Sequence, residues 1–231
     1  AFMTILALMN FNLEGLGYAA AVPRMVDTLI GCALAWFGVS FIFPDWKFRR
    51  LSRTIRRSLT AQCGYLAEVI EQYKNGRNNG LNYRVVRRAA HNTDAEVASL
   101  ISTLATEPDF DPNQKAQAFE FLCLNHTFIS YIAALGAHRD KIDDQEVLQL
   151  LDQAMDDIQG ALLKDETPDL SAHNMLQTIR QRLSQNKEED QKSLIILQQL
   201  SLMMSILQQL SRLKQSLSHE HDQDATELAS L

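Results

Sequence analysis

From Met25 to Phe43 the chain reads MVDTLIGCALAWFGVSFIF, a nearly unbroken apolar run with only Asp27, Thr28 and Ser40 clearly polar. Its length and hydrophobicity predict a transmembrane helix, the fate of an apolar stretch approaching about 20 residues. Pro44, Asp45 and the interfacial aromatic Trp46 follow, then a dense basic cluster of Lys47, Arg49, Arg50, Arg53, Arg56 and Arg57. Basic residues flanking a span stay on the cytoplasmic side, so residues after about 46 are expected in the cytoplasm. The opening AFMTILALM is apolar but rises only about 13 Å as a helix, so residues 1–9 are read as a truncated preceding span. Residues 10–23 carry Glu14 as their one acidic charge and hold Gly15 and Gly17, which suits a short non-cytoplasmic loop. Residues 1–46 are thus expected to be the end of a transmembrane block.

Beyond Trp46 the periodicity changes from continuous to amphipathic. Phe48, Leu51, Ile55, Leu59, Leu66, Val69 and Tyr73 recur at helical spacing, with arginines between the early ones. The turn formers NGRNNG, residues 75–80, end that helix. A second helix is predicted from about Leu81 to Thr106 on an apolar face containing Val85, Ala89, Val97, Leu100, Ile101 and Leu104, stopping at Pro108. After PDFDPN an aromatic-rich helix carries Ala116, Phe119, Leu122, Phe128, Ile129, Ile132 and Leu135, the expected centre of a bundle. A helix over about Asp144–Lys164 comes next, then a polar linker and two more helices. The last, about Asp190–Ser218, places Ile196, Leu200, Met203, Leu207, Leu210 and Leu217 in three- and four-residue steps, with Lys214 interrupting the seam. That seam either packs on the bundle or pairs with another subunit. The reading is all-α: a terminal membrane helix, a cytoplasmic helical domain over residues 47–218, and an acidic flexible tail over 219–231.

Composition agrees. Nine Gly and five Pro in 231 residues favour long helices over turn-punctuated strands. The net charge of −6 argues against a nucleic-acid partner, which would demand many phosphate-neutralising cations. Cys32, Cys63 and Cys123 lie far apart without metal-ligand spacing; their odd number leaves no complete set of disulfides and fits a reducing compartment.

Candidate chemistry is sparse. Asp27, three residues after Arg24, suits an ion pair or an interfacial cap at a helix start; a carboxylate inside a span is also a candidate proton carrier or substrate partner. Gly31, Ala35 and Gly38 form a shallow stripe where another helix can approach. His91, Asp94 and Glu96 are expected to tie their helix to neighbours through Arg87 or Arg88. His138, Arg139 and Asp140 read as an exposed helix end, and His219, Glu220 and His221 as a tail cluster without metal specificity. There is no phosphate-loop, dinucleotide or hydrolase motif, so neither a catalytic residue, a cofactor nor a metal is assigned and no enzyme is expected.

Arg24, Asp27, Thr28 and Gly31 entering a terminal span, the exit Phe43, Pro44, Asp45 and Trp46, the basic amphipathic helix, and the later run RRAAHNTDA from Arg87 to Ala95 together resemble the fusaric-acid-resistance-like family of bacterial inner-membrane proteins, in its YccS-type branch. The resemblance covers most of the chain to about residue 165. It implies a multi-pass inner-membrane protein with two membrane blocks and cytoplasmic helical portions, of which this chain is a C-terminal part. It also implies kinship with exporters of aromatic carboxylic acids and similar toxic compounds. Arg24, Asp27, Thr28 and Gly31 become transport or helix-packing candidates. The expected partners are the lipid bilayer, the remainder of the parent protein and a second copy of the chain; no nucleic acid is expected. The alternative is a non-transporting membrane scaffold whose helical domain oligomerises or recruits partners.

Overall fold

A computed structural model describes residues 21–38, 46–78, 80–106, 111–164, 171–185 and 191–228. Every regular element among them is an α-helix, as the periodicity predicts. The chain divides into two compact units, Ala1–Trp46 and Lys47–Leu231. The truncated span and most of the loop fall outside the described residues.

The first unit contributes α1, Ala21–Phe37. It starts two residues before Pro23, inside what the sequence suggested was loop. Proline suits a first helical turn because the N–H it lacks would have no intrahelical acceptor there. Asp27 consequently sits in the second turn rather than the first, which corrects its reading as a start-of-helix cap. Residues 39–43, the remainder of the predicted span, lie outside the described part. From Pro23 to Phe37 all the side chains are exposed within this unit, with Leu29, Leu34 and Trp36 each about two-thirds exposed or more. An apolar helix whose side chains stay this exposed is what a lipid-facing segment looks like.

Among the described residues the second unit is a bundle of six helices. Its helices are α2 (Trp46–Asn75), α3 (Leu81–Leu104), α4 (Pro112–Ala137), α5 (Gln145–Leu163), α6 (Ser171–Gln185) and α7 (Gln191–Leu228). Local chemistry sets the boundaries. Gly76, at φ +95°, ends α2 in the left-handed conformation that glycine tolerates, and its N–H donates to the Gln72 carbonyl. Asp111 caps α4 by accepting from the N–H groups of Asn113 and Gln114, with Pro112 in the first turn; Asp144 caps α5 in the same way. α7 lies against α4, α5 and α6, and α4 also packs on α3.

The seam of α7 is buried in this bundle: Ile196, Leu200, Met203, Leu207 and Leu210 are at most 1% exposed. α4 and α7 are each long and apolar enough to cross a membrane by length and composition. Their apolar faces are instead turned on each other and on the bundle, so both serve as core helices here. Two expectations need correction. Val85, Ala89 and Phe119 are exposed, because α3 turns Tyr83, Ala90, Thr93, Asp94 and Val97 inward and α4 turns Ala118, Phe121 and Asn125 inward. α7 also runs on to Leu228, through most of the segment expected to be a loose tail.

Candidate functional site

On α1, Arg24, Asp27, Thr28 and Gly31 occupy successive turns of one helix face. The Thr28 hydroxyl donates to the Arg24 carbonyl at 2.7 Å, so it is Thr28 that bonds back to Arg24 across the turn. No ion pair between Arg24 and Asp27 is seen among the described residues. A Cβ built on Gly31 or Gly38 would meet nothing within 4 Å, which leaves the small-residue stripe open on the surface of this unit.

Of the basic cluster, Lys47 and Arg49 lie outside the residues whose side chains are described. Arg50, Arg53, Arg56 and Arg57 are exposed on α2, on the side opposite the buried Leu51, Ile55 and Leu59. Arg53, Arg56, Arg57 and Thr60 form one wall of a 660 Å³ cleft. The facing wall comes from α3, where Ala89, Asn92, Thr93 and Glu96 fall on one stripe. Arg57 Nη1 reaches Glu96 Oε2 at 3.3 Å across the cleft. Glu96 is therefore tied to α2 rather than to the arginines of its own helix.

Asp94 turns the other way. Its Oδ1 accepts from Asn125 Nδ2 at 2.7 Å and its Oδ2 lies 2.9 Å from His126 Nδ1, both on α4. Asn125 Oδ1 in turn accepts from Gln62 Nε2, which also reaches Ser58 Oγ on α2. One buried chain of polar groups thus joins α2, α4 and α3. His91 instead faces the Tyr65 ring at 6.3 Å, so it does not converge with Asp94 on a common ligand. Among the described residues no three His, Cys, Asp or Glu side chains come together as a metal-binding group. The expected ties to Arg87 or Arg88 are replaced by Asn125, His126 and Arg57.

The predicted exposed helix end at His138–Asp140 is also corrected. Arg139 is only 6% exposed. Its Nε donates to Gln72 Oε1 at 2.7 Å, its Nη1 donates to the Gly136 carbonyl, and its guanidinium lies 3.9 Å from the centre of the Tyr83 ring. Tyr83 and Tyr65 share a hydroxyl–hydroxyl bond at 3.2 Å, and the Tyr73 hydroxyl donates to the Leu135 carbonyl at 2.7 Å. Arg139 and Tyr73 thus add donors to carbonyls in the last turn of α4, where the intrahelical ladder runs out and the Leu135 carbonyl otherwise accepts from the His138 N–H at 3.1 Å. Burial, reinforced at Tyr65 by the bond with Tyr83, raises both the Tyr65 and Tyr73 hydroxyls above the ordinary phenol range.

Lys214, which breaks the apolar seam of α7, is buried and donates from Nζ to the Leu162 carbonyl at 2.8 Å; Ser211 donates to Ala161 at 3.2 Å. Both cap the C-terminal end of α5, where a cation is also favoured by the helix dipole. Cys63 is buried, and burial pushes its thiol up to about 12 against the smaller opposing pull of the Lys214 charge. Cys32 and Cys123 are exposed, and all three cysteines are free.

No protein-family model matches the chain, and no solved structure matches it. Curated relatives do. An inner membrane protein, YccS, of Escherichia coli K12 is 44% identical over 218 residues, 94% of this chain and 30% of that protein. A protein of Haemophilus influenzae described as uncharacterized is 38% identical over 65% of the chain and 21% of its own length. One of Neisseria gonorrhoeae, described as uncharacterized protein ORF2, is 40% identical over 46% of the chain and 26% of its own length. The chain therefore spans less than a third of the length of each of these relatives. The match to the first extends over 94% of the chain, and on that ground the chain belongs to the YccS-type family of inner membrane proteins.

Proposed function

We propose that the protein carrying this chain is a multi-pass inner-membrane exporter-like protein that moves aromatic carboxylic acids or related toxic compounds outward, with the Lys47–Leu231 bundle on the cytoplasmic side serving assembly or gating. The observation that carries this reading is the joining of an exposed apolar helix bearing Arg24 and Asp27 to a self-contained helical bundle, in a chain 44% identical to an inner membrane protein. Charged side chains are costly within a span and are retained where they face a pathway or a partner helix. In this reading Arg24 attracts the substrate carboxylate and Asp27 carries the coupling proton or pairs with a neighbouring span. The bundle performs no chemistry and needs no cofactor.

The test is efflux of a panel of aromatic acids from cells expressing the full-length parent, beside Asp27→Asn and Arg24→Gln forms matched for membrane abundance. Export of a subset of acids, lost in either well-assembled variant, is the expected result. Unchanged retention of every acid by the wild-type protein refutes it.

A scaffold reading keeps one observation. Leu81 and Val85, one turn apart on α3, are 72% and 54% exposed, an apolar edge on which a second copy or another helix would rest. The α7 seam no longer supports that reading, because the bundle itself covers it.

A further inference from the structure

The cleft between α2 and α3 has a chemistry that membrane topology alone does not require. Arg53, Arg56 and Arg57 are spaced three and four residues apart on one face of α2, and all three line one 660 Å³ cleft, a size suited to a small ligand. Among the described residues the one carboxylate in the lining is Glu96, so that lining stands at +2 in a protein whose net charge is −6. Among the described residues neither Arg53 nor Arg56 is paired with a carboxylate. The neutral lining narrows the ligand further. The Thr60 hydroxyl donates to the Arg56 carbonyl, and the Thr93 hydroxyl to the carbonyls of Ala89 and Ala90. With those hydroxyl protons committed, the donors left for a ligand are the guanidinium groups and the Asn92 amide. Ala61 and Ala89 leave room between the helices for it to enter.

We propose that this cleft binds a phosphate-bearing anion, held by Arg53, Arg56 and Arg57, with Glu96 occupying Arg57 as a built-in competitor while the cleft is empty. A phosphate monoester carries close to two negative charges at neutral pH and offers three terminal oxygens, which matches a +2 lining with three forks; a carboxylate offers one charge and two oxygens. The Arg57–Glu96 pair is long and exposed on both sides, so it is worth at most about 1 kcal/mol and yields readily to a better acceptor. Such a phosphate is available from a lipid headgroup or from a soluble metabolite. α2 follows the apolar run directly in sequence, and Arg53 comes only seven residues after Trp46, which makes a lipid headgroup one of the two sources to test. The site holds whether or not the protein exports a solute.

The experiment is calorimetric titration of the full chain in a neutral detergent with inorganic phosphate, with dihexanoyl phosphatidate and with acetate. One equivalent of a phosphate ligand is expected to bind at least about tenfold more tightly than acetate. Arg53→Lys with Arg56→Lys, which keeps the charge and removes the forks, is expected to weaken binding at least about tenfold. Glu96→Gln, which removes the competitor, is expected to tighten it about three- to tenfold. Preference for phosphatidate identifies a lipid headgroup as the source, and preference for inorganic phosphate a soluble ligand; either supports the site. Equal binding of acetate, an unchanged affinity in the double-lysine form, or no tightening with Glu96→Gln overturns it, as does the absence of binding by both phosphate ligands. Unchanged thermal unfolding in both variants guards against a trivial loss, because every substituted side chain is exposed.

Discussion

Removing Arg139 tests the claim that a short interhelical corner holds the end of α4 against α2 and α3. In Arg139→Ala the Gln72 amide oxygen and the Gly136 carbonyl each lose a charged donor, and Tyr83 loses the cation over its ring. A hydrogen bond from a charged group contributes about 1.5–3 kcal/mol, and an acceptor left buried and unpaired costs about 1–3 kcal/mol. The cation–π contact adds about 0.5–2 kcal/mol. These overlap rather than add, and relief of the desolvation of a buried guanidinium works against them, which leaves a net loss of about 3 kcal/mol. For a unit of this size 1 kcal/mol corresponds to about 2–4 °C in Tm, so the expected fall is about 6–12 °C.

The measurement is thermal unfolding of the Lys47–Leu231 unit, followed by far-UV circular dichroism, since that unit contains its own core. Arg139→Lys keeps the charge but cannot serve Gln72, Gly136 and the Tyr83 face together, and is expected to fall between the wild type and the alanine form. Arg88→Ala, on an exposed position of α3, is the control and is expected within about 0.5 kcal/mol of the wild type. A fall of less than about 2 °C in Arg139→Ala, or an Arg139→Lys form as stable as the wild type, would refute the reasoning.

Two further expectations rest on the same bundle. The Lys47–Leu231 unit should show one fast thiol, the exposed Cys123, and one that reacts only on unfolding, because Cys63 is buried with its thiol pushed up to about 12 and is almost wholly un-ionised at pH 8; two fast thiols would contradict the packing of α2. Lys214→Met keeps the apolar stem but leaves the Leu162 carbonyl without its Nζ donor, and is expected to lower stability by about 1–3 kcal/mol in urea unfolding; a variant at least as stable as the wild type would show that this cap contributes nothing.

Helix order, and the boundaries of α2 to α5, were legible in the sequence because their determinants are local, whereas the start of α1 and the end of α7 were not. The Asp111–Pro112 and Asp144 caps and the Gly76 turn announce themselves within a few residues. The burial register was less legible. Counting apolar residues selected Val85 and Ala89, whereas α3 turns in Tyr83, Thr93 and Asp94, whose polar atoms are satisfied by partners on other helices or on their own backbone. Arg139 was missed for the same reason in stronger form: Gln72 lies 67 residues away, and the signal that an arginine is buried is the presence of that acceptor. Lys214 shows how such a residue can be suspected. A cation breaking an otherwise apolar seam marks where another helix ends against it. The basic cluster was visible as composition, but its assembly into one cleft wall required the position of α3, which periodicity does not supply.

The placement of charge on α3 gives the gating proposal a physical route. Glu96 faces the α2–α3 cleft, while Asp94, two residues earlier, is bound to Asn125 and His126 on α4. Asn125 in turn accepts from Gln62 of α2, the helix that also carries Arg57. An anion that drew Arg57 away from Glu96 would remove one bond between α2 and α3 at the surface, while the buried chain through Gln62, Asn125 and Asp94 kept the helices in register. The exposed pair is weak and the buried chain strong, so the cleft is able to open without the bundle coming apart. A ligand can shift such an equilibrium only by its difference in affinity for the two arrangements. Glu96→Gln removes the competitor from the closed arrangement, and in the gating reading it should therefore mimic the effect of the anion on transport.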